Sequence, residues 1–250
     1  MYIYYKFFFY YKIIFCTLYY NMLVNSTTNF SILVQIIIGL MTFNSIFFKL
    51  GDEDKILIQI LKIETIVQII ELFYYIIILK NIPEEKIDTM ASIRYFDWFI
   101  TTPTMLFTTI IYFKYEEYKE KKRKNSLKNL TLKSFIKNNQ QNIIFIMICN
   151  FLMLLFGYLT EINYIDKKIG FILGFIFFYL SFNNIYKYYA KKSKKGKNIY
   201  SFLLIIWSLY GFAFLLNAKE KNIIYNILDV FSKNFFGLYL YYIANSVRII

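Results

Sequence analysis

The chain contains no histidine, and it has only two cysteines and two prolines among its 250 residues. Without an imidazole, a histidine-based catalytic triad, a histidine zinc site and an imidazole proton shuttle are excluded. Cys16 and Cys149 both lie in apolar segments and form neither a CxxC motif nor a disulfide framework. The two prolines and eight glycines interrupt the chain at few points. We predict neither a metal site nor an enzyme.

Apolar residues dominate what is present. Hydrophobic side chains make up 58% of the chain and aromatic ones 22%, whereas soluble domains average about 45–50% apolar residues. This composition predicts an integral membrane protein. The net charge of +13 raises the question of a nucleic-acid partner. The basic residues cluster in two loops between apolar stretches, however, so we predict lipid rather than nucleic acid as the partner.

Seven apolar stretches are long enough to cross a bilayer. They cover residues 29–50, 56–79, 91–113, 142–160, 167–187, 199–217 and 223–245. Short polar loops separate them, as is typical of one bundle rather than two domains. The pattern predicts an all-α membrane protein with a single seven-helix domain over residues 27–250.

A further apolar segment, about residues 7–24, precedes these stretches. It carries Lys6 and Lys12 and fits poorly as a helix of the bundle. We interpret residues 1–26 as an N-terminal extension, which is a signal segment, an extra anchor or an upstream addition with Met22 as the functional start.

Loop charges predict the orientation. Residues 114–137 hold nine Lys/Arg against three Glu, and residues 187–197 hold six lysines and no acid. Basic loops stay on the cytoplasmic side, so we expect the N-terminus outside and the C-terminus in the cytoplasm. The acidic loop at 49–55 is an exception. A binding role for the basic loops is the alternative to a purely topological one.

Lys233 lies inside the last apolar stretch, with Asp229 four residues before it. A lysine inside a membrane costs at least ~2.5–3.5 kcal/mol on insertion scales. Residues four apart share a helix face, so the carboxylate can reach the amine. A lysine kept at such a cost suggests a chemical task, and a common one is a Schiff base with an aldehyde or ketone.

The third stretch carries Arg94, Asp97 and Thr101 at i, i+3 and i+7, along one stripe of a helix. Pro103 should bend this helix. Arg94 and Asp97 alone could be a self-neutralising pair that only fixes helix packing. Together with the lysine of the last stretch, two carboxylates could instead share one buried cation.

The second stretch carries Glu64, Gln68 and Glu71 at i, i+4 and i+7. Such a stripe is either an interhelical hydrogen-bonded contact or the lining of a hydrated path for cations or protons. Asn234, directly after the lysine, and Asn150 in the fourth stretch could be interhelical hydrogen-bonding residues.

Three runs resemble the microbial rhodopsins. The run RYFDWFITTP at 94–103 resembles their third-helix signature, and LDVFSKNFFG at 228–237 resembles their seventh-helix retinal site. The run WSLYG at 207–211, with Phe214, is similar to their aromatic face against the polyene. The resemblance covers all seven stretches, about residues 27–247.

The resemblance implies that Lys233 binds all-trans retinal as a protonated Schiff base. Asp97 would be the primary counterion and proton acceptor, with Asp229 as second counterion and Thr101 one turn beyond Asp97. Arg94 would hold a water cluster on the extracellular side. The residues expected to enclose retinal are Trp98, Thr102, Met153, Gly157, Trp207, Tyr210 and Phe214.

Some positions depart from the family pattern. Outward proton pumps of the family carry a carboxylate donor eleven residues after Asp97, where this chain has Thr108. Gly211 replaces a sixth-helix proline. Near Lys221 the acids of the usual proton-release group are not clearly present, although Glu220 lies close.

Other features resemble channelrhodopsins. Glu64 lies 33 residues before Asp97, a spacing similar to that of the central-gate glutamate, and Glu71 resembles the next glutamate of that row. Asn234 matches the gate asparagine, and Ser31 is a candidate for the third gate member. Gln68 belongs to the same ion-pathway stripe.

Thr102 facing Asn150 is similar to the pair that times channel closing. The Ile/Lys/Asn bias and short loops resemble rhodopsins of giant viruses of protists, one group of which is reported as light-gated cation channels.

The resemblance therefore implies a light-gated cation channel. The alternatives are an outward proton pump with Glu64 or Glu71 as donor, and a sensory receptor that signals to a partner. The expected partners are membrane lipid, retinal, cations or protons, and further copies of the chain in a homo-oligomer. We expect a multi-pass protein in a host cell membrane or a virus-encoded membrane.

Overall fold

The computed structural model describes the backbone of residues 2–80 and 87–249, with side chains from residue 21 to 80 and from 89 to 249. Its helices are α1 (Tyr2–Ser45), α2 (Lys55–Lys80), α3 (Ile87–Glu120), α4 (Lys124–Lys128), α5 (Leu132–Glu161), α6 (Lys167–Tyr188), α7 (Lys194–Ala213), α8 (Ala218–Asp229) and α9 (Phe235–Ser246). A π-helical turn, Val230–Asn234, joins α8 to α9 without a break. Seven long helices result, since α4 is one short turn.

Polar side chains at the N-caps explain why three helices begin earlier than hydropathy predicts. Thr131 and Ser134 form a capping box at α5, Ser193 accepts from the Gly196 N–H at α7, and Asn217 accepts from the Glu220 N–H at α8. Such caps satisfy amide groups that have no partner within the helix. The predicted starts at 142, 199 and 223 were therefore too late.

α1 is continuous from Tyr2 to Ser45. The predicted first stretch, 29–50, therefore ends five residues too late, and its start lies inside a longer helix. The side chains of Lys6 and Lys12 fall outside the described residues. The division of the chain at residue 26 stays a prediction.

Contacts between helix ends show that the long helices alternate in direction. The Ile249 N–H donates to the Lys49 carbonyl over 2.9 Å, and the Lys194 N–H donates to the Glu120 carboxylate over 2.7 Å. These contacts bring the 46–54 loop and the ends of α3 and α9 to one end of the bundle, which we call the basic end because it also carries both lysine-rich loops. At the other end Lys221 pairs with Glu161.

Among the described residues, three helical segments are long and apolar enough to cross a membrane by composition alone: Asn21–Ser45, Leu132–Glu161 and Lys167–Lys192. Among the other long helices, α2 and α3 carry charged side chains that the bundle buries. Glu64, Glu71 and Arg94 are each at most 1% exposed, while Ile66 and Phe73 of α2 point outward. Charges inside and apolar side chains outside are what a membrane helix in a bundle requires.

Candidate functional site: a buried lysine beside an aromatic cavity

Lys233 lies in the π-helical turn and is 2% exposed. Its Nζ is 2.5 Å from Asp97 Oδ2, 3.6 Å from Asp229 Oδ1 and 3.7 Å from Glu71 Oε1. π-helical turns occur frequently at functional sites. The sequence predicted the two aspartates beside the amine, and the structure brings all three groups together.

Glu71 is the unexpected member of this group. The resemblance assigned it to a row of channel glutamates, as the next member after Glu64. The structure places Glu71 at the lysine and Glu64 seven residues earlier in α2. The site contains three carboxylates, Asp97, Asp229 and Glu71, and two cations, Lys233 and Arg94. The one excess carboxylate gives the site the capacity to hold one transferable proton.

Arg94 is held entirely by neighbouring side chains on the other side of the lysine. Its Nη1 donates to Asp229 over 3.3 Å and to the Tyr75 hydroxyl over 3.2 Å. Its Nε donates to Asn222 over 3.1 Å and its Nη2 to Asn226 over 2.5 Å. Direct contacts to four side chains thus hold the guanidinium, and the water cluster implied by the resemblance stays a prediction.

Sequence reasoning did not identify Tyr75, Asn222 and Asn226 as site residues. The two asparagines precede Asp229 by seven and three residues, so they lie on the helix face that carries Asp229 and Lys233. That spacing could have revealed them. Tyr75 donates a hydrogen bond of 2.7 Å to Asp229. It lies four residues after Glu71 and so on the same helix face, a spacing that could also have revealed it.

A cavity lined mainly by apolar and aromatic side chains lies against Lys233. All seven residues predicted to enclose retinal line it: Trp98, Thr102, Met153, Gly157, Trp207, Tyr210 and Phe214. Additional lining residues are Tyr95, Met105, Leu154, Gly170, Phe171, Gly174, Phe175, Phe178, Gly211, Tyr225 and Ser232. An apolar, aromatic cavity with one amine at its end suits a long apolar aldehyde, so these residues fit retinal.

A side chain at some glycines of the cavity wall would collide with a neighbouring group. A Cβ at Gly157 would lie 2.4 Å from the Tyr95 hydroxyl, and one at Gly211 would lie 2.4 Å from the Phe175 ring. At Gly174 the nearest atom would be 3.9 Å away, an ordinary contact. The glycine that replaces the family proline therefore admits an aromatic ring.

Threonines of α3 fix the cavity floor. Thr101 donates to the Asp97 carbonyl over 3.0 Å, and Thr102 donates to the Trp98 carbonyl over 2.8 Å. The Asn150 amide donates to the Thr102 hydroxyl over 2.9 Å. The predicted contact between Thr102 and Asn150 is thus a hydrogen bond between α3 and α5.

The polar stripe of α2 is buried and has few protein partners. Glu64 accepts a hydrogen bond from the Thr108 hydroxyl. Within the described ranges, no hydrogen-bond partner is found for Glu64 Oε2, either Glu71 oxygen, the Gln68 amide or the Asn234 amide oxygen. Gln35 of α1 shows the same pattern and was not predicted.

The other two candidate gate residues donate hydrogen bonds to carbonyls of α8. Asn234 donates weakly, over 3.5 Å, to the Asp229 carbonyl. Ser31 donates to the Asn226 carbonyl over 2.8 Å, which places it on the Arg94 side of the lysine. Their part in a gate stays a prediction.

Comparison with known proteins supplies the family. A sequence model described as "Bacteriorhodopsin-like protein" matches residues 26–247. No curated protein sequence matches the chain. Among solved structures, the viral rhodopsin OLPVRII has a TM-score of 0.76 at 24% identity, covering 91% of this chain and 100% of its own.

Two further structures have the same fold at lower identity. The blue-light-absorbing proteorhodopsin from Med12 has a TM-score of 0.67 at 17% identity, covering 89% of this chain and 97% of its own. Bromide-bound halorhodopsin from Halobacterium salinarum has a TM-score of 0.64 at 12% identity, with 94% and 100% covered. The family match spans most of the chain and the seven long helices, and it shows that this protein belongs to the bacteriorhodopsin-like family of integral membrane proteins, which in general carry a retinal chromophore.

Proposed function

We propose that this protein is a light-gated cation channel whose path runs along the polar stripe of α2. The observation that carries the proposal is the position of Glu71. It lies 3.7 Å from the Lys233 amine and on the same helix stripe as Gln68 and Glu64. One carboxylate thus belongs both to the light-sensitive site and to the path.

All-trans retinal bound covalently to the Lys233 nitrogen would supply light absorption and a change of shape on isomerisation. Asp97, at 2.5 Å, is the nearest group able to accept the proton of that nitrogen. The transfer removes one positive and one negative charge from the site. The attraction that holds Glu71 towards Lys233 then disappears, since opposite charges at such distances interact strongly away from water.

Release of Glu71 opens the stripe to water. Among the described residues, Glu64 Oε2, both Glu71 oxygens and the Gln68 amide have no hydrogen-bond partner, and unpaired polar atoms favour hydration. An acidic lining favours cations over anions. The path therefore conducts cations or protons.

The contacts that define the basic end also support an orientation of the chain in the membrane. Both lysine-rich loops belong to the basic end, so we place this end in the cytoplasm and the N-terminus outside. Residues 1–26 would extend α1 as an anchor or signal segment. We further propose a homo-oligomer in a host cell membrane or a virus-encoded membrane, because a bundle of this family can bury apolar outer faces against further copies.

Voltage-clamp recording of light-induced current tests the proposal, with retinal supplied. A channel current should reverse sign close to the cation equilibrium potential and follow it when the gradient changes. A current that stays outward at every voltage would contradict the channel. Near-absence of current would favour the sensory alternative.

Glu64→Gln sharpens the same recording. In a channel it should shift the reversal potential between sodium and proton gradients, because it removes a charge from the lining. Asp52→Asn is the control, since Asp52 is exposed and pairs with the neighbouring Lys55 at the surface. An unchanged selectivity would make Glu64 structural.

An outward proton pump is the second candidate, and the Glu64–Thr108 hydrogen bond favours it. Pumps of this family, by resemblance, carry a donor acid at the position of Thr108. In this protein the Thr108 hydroxyl lies on α3, and the Glu64 carboxylate that accepts its hydrogen bond lies on α2. Glu64 would then return a proton to Lys233, and the recorded current would be outward at all voltages.

A further inference from the structure

A second buried acid lies at the basic end of α3. Glu116 is 3% exposed and accepts a hydrogen bond of 2.6 Å from the Tyr112 hydroxyl. The Tyr112 hydroxyl lies 2.8 Å from the Tyr239 hydroxyl of α9. The Lys195 Nζ of α7 lies 3.7 Å from Glu116 Oε2, and Lys195 is 58% exposed. The Glu116 carboxylate thus contacts the buried Tyr112 hydroxyl on one side. On its other side the exposed Lys195 side chain separates it from water.

This cluster continues the polar stripe of the site. Thr108, Tyr112 and Glu116 follow one another at four-residue spacing, so they lie on one face of α3. Thr108 contacts Glu64, whose second oxygen has no partner among the described residues. At 1.5 Å per residue, Thr108 and Glu116 are about 12 Å apart along the helix.

The hydrogen bonds of the cluster have a direction. A carboxylate can only accept hydrogen bonds, so ionised Glu116 accepts the hydrogen bond that the Tyr112 hydroxyl donates. Tyr112 can then receive only from Tyr239, and both hydroxyl hydrogens point towards Glu116. This arrangement blocks inward proton movement.

Protonation of Glu116 reverses the direction. A neutral carboxyl has its own hydrogen, which it can donate to Tyr112, while Tyr112 turns its hydroxyl towards Tyr239. Tyr239 then gives its own hydrogen to water in the hydrated stripe, and this water passes a proton to the Lys233 nitrogen that lost one after illumination. Tyr239 is refilled from Tyr112, Tyr112 from Glu116, and Glu116 from water at the basic end. Each O–H bond broken along the cluster is thus replaced, and the net result is one proton moved from that water to Lys233.

We propose that Glu116 is the site at which protons are exchanged between the water at the basic end and the interior stripe, with the Tyr112–Tyr239 pair as a one-way contact. The groups that face Glu116 are Tyr112 and Tyr115 of α3, Lys195 of α7 and Tyr239 through Tyr112. The inference rests on the proposed light-driven loss of a proton from Lys233. It holds for channel and pump alike, because either must restore that proton.

The first test is Glu116→Gln against Glu117→Gln in purified, retinal-loaded protein. Glu117 is 4% exposed but pairs with Lys114 at 2.9 Å and Lys121 at 2.8 Å, so it is a matched buried acid outside the cluster. Flash spectroscopy follows the return of the proton to the Lys233 nitrogen. We expect at least a tenfold slowing and loss of pH dependence in Glu116→Gln, and less than a twofold change in Glu117→Gln.

Sodium formate distinguishes proton exchange from a structural effect, because its diffusible acid can carry protons past a missing carboxyl. It should restore the rate in Glu116→Gln. Equal rates in the two glutamine variants, no restoration by formate, or no loss of the Lys233 proton after a flash would each overturn the proposal. Photocurrents are not involved, so failure of the channel assignment is a separate result.

A second measurement uses retinal-free protein. The infrared carbonyl band of protonated Glu116, identified by its absence in Glu116→Gln, should shift when Tyr112→Phe removes its hydrogen-bond donor. If Glu116→Gln does not fold, Tyr239→Phe takes its place in the flash experiment and should slow proton return at least threefold. An unshifted band or an unchanged rate would overturn the cluster as a proton contact.

Discussion

The two sides of Lys233 differ in how their buried polar groups are satisfied. On one side Arg94 donates to four side-chain groups, and Asn226 also donates to the Thr28 hydroxyl over 3.0 Å. On the other side Gln35 and Gln68 are at most 2% exposed, and their amides find no protein partner within the described ranges. The polar groups on the Arg94 side are hydrogen-bonded to one another, whereas the unpaired amides on the α2 side are positioned to bind water.

The contrast has an energetic meaning. A buried polar group without a partner costs about 1–3 kcal/mol, and a stripe of such groups would be eliminated if only stability mattered. Buried arginine and aspartate, by contrast, are tolerated when their hydrogen bonds are complete. We infer that the Arg94 side holds the site in place and that the α2 side provides the path. The following predictions test that division.

The largest effect should come from Asp97→Asn. Asp97 is the nearest acceptor to the Lys233 nitrogen, and removal of a positioned proton acceptor slows transfer by about 10²–10⁴-fold. Flash spectroscopy of proton loss from Lys233 measures the change. Glu71→Gln, which alters a carboxylate 1.2 Å farther away (3.7 against 2.5 Å), should slow the same step by less than tenfold. Equal effects would show that Asp97 and Glu71 are interchangeable as proton acceptors.

The next effect is on stability and compares the two sides directly. Asn226→Leu removes an acceptor from buried Arg94 and should destabilise the retinal-free protein by about 2–4 kcal/mol. Gln68→Met replaces an unpartnered amide by a similar volume and should be neutral or stabilising. Thermal unfolding in detergent compares the two variants. A destabilised Gln68→Met variant would mean that the stripe is structural.

A steric pair tests the cavity on which both sides converge. Gly157→Ala brings a methyl group against the Tyr95 hydroxyl and should slow or reduce the uptake of retinal, measured as growth of the visible band. Gly174→Ala, with its nearest contact at 3.9 Å, should bind retinal as the wild type does. Equal uptake by both variants would place the chromophore elsewhere.

The smallest effect concerns an acid outside the membrane. Burial raises the pKa of Glu117, but hydrogen bonds from Lys121 and Lys114 outweigh it and hold that pKa below its usual value. Its contribution to stability is therefore present above the usual pKa and is lost as the pH falls through the lowered one. Lys121→Gln should raise the pKa of Glu117, as carboxyl NMR titration would report. An unchanged pKa of Glu117 in Lys121→Gln would show that Lys121 does not stabilise the Glu117 carboxylate.

Local patterns predicted the site better than the path. Lys233 with Asp229, and Arg94 with Asp97, could be predicted because each pair lies within one helix, where spacing fixes the face. Hydropathy located the long helices but missed their caps, because capping depends on single polar side chains such as Thr131. The contact of Glu71 with Lys233 could not be predicted, because a count across a loop does not determine helix register. Tyr75 lies four residues after Glu71, so the stripe of α2 indicates its face, whereas its hydrogen bond to Asp229 required the packed structure.

Reductive trapping tests directly whether retinal binds to Lys233. Protein mixed with all-trans retinal is reduced with borohydride, which fixes any imine to its lysine, and the labelled peptide is identified by mass spectrometry. The account predicts label on Lys233 alone, and neither label nor visible band in Lys233→Ala. Label on another lysine, or a visible band that survives in Lys233→Ala, would contradict it.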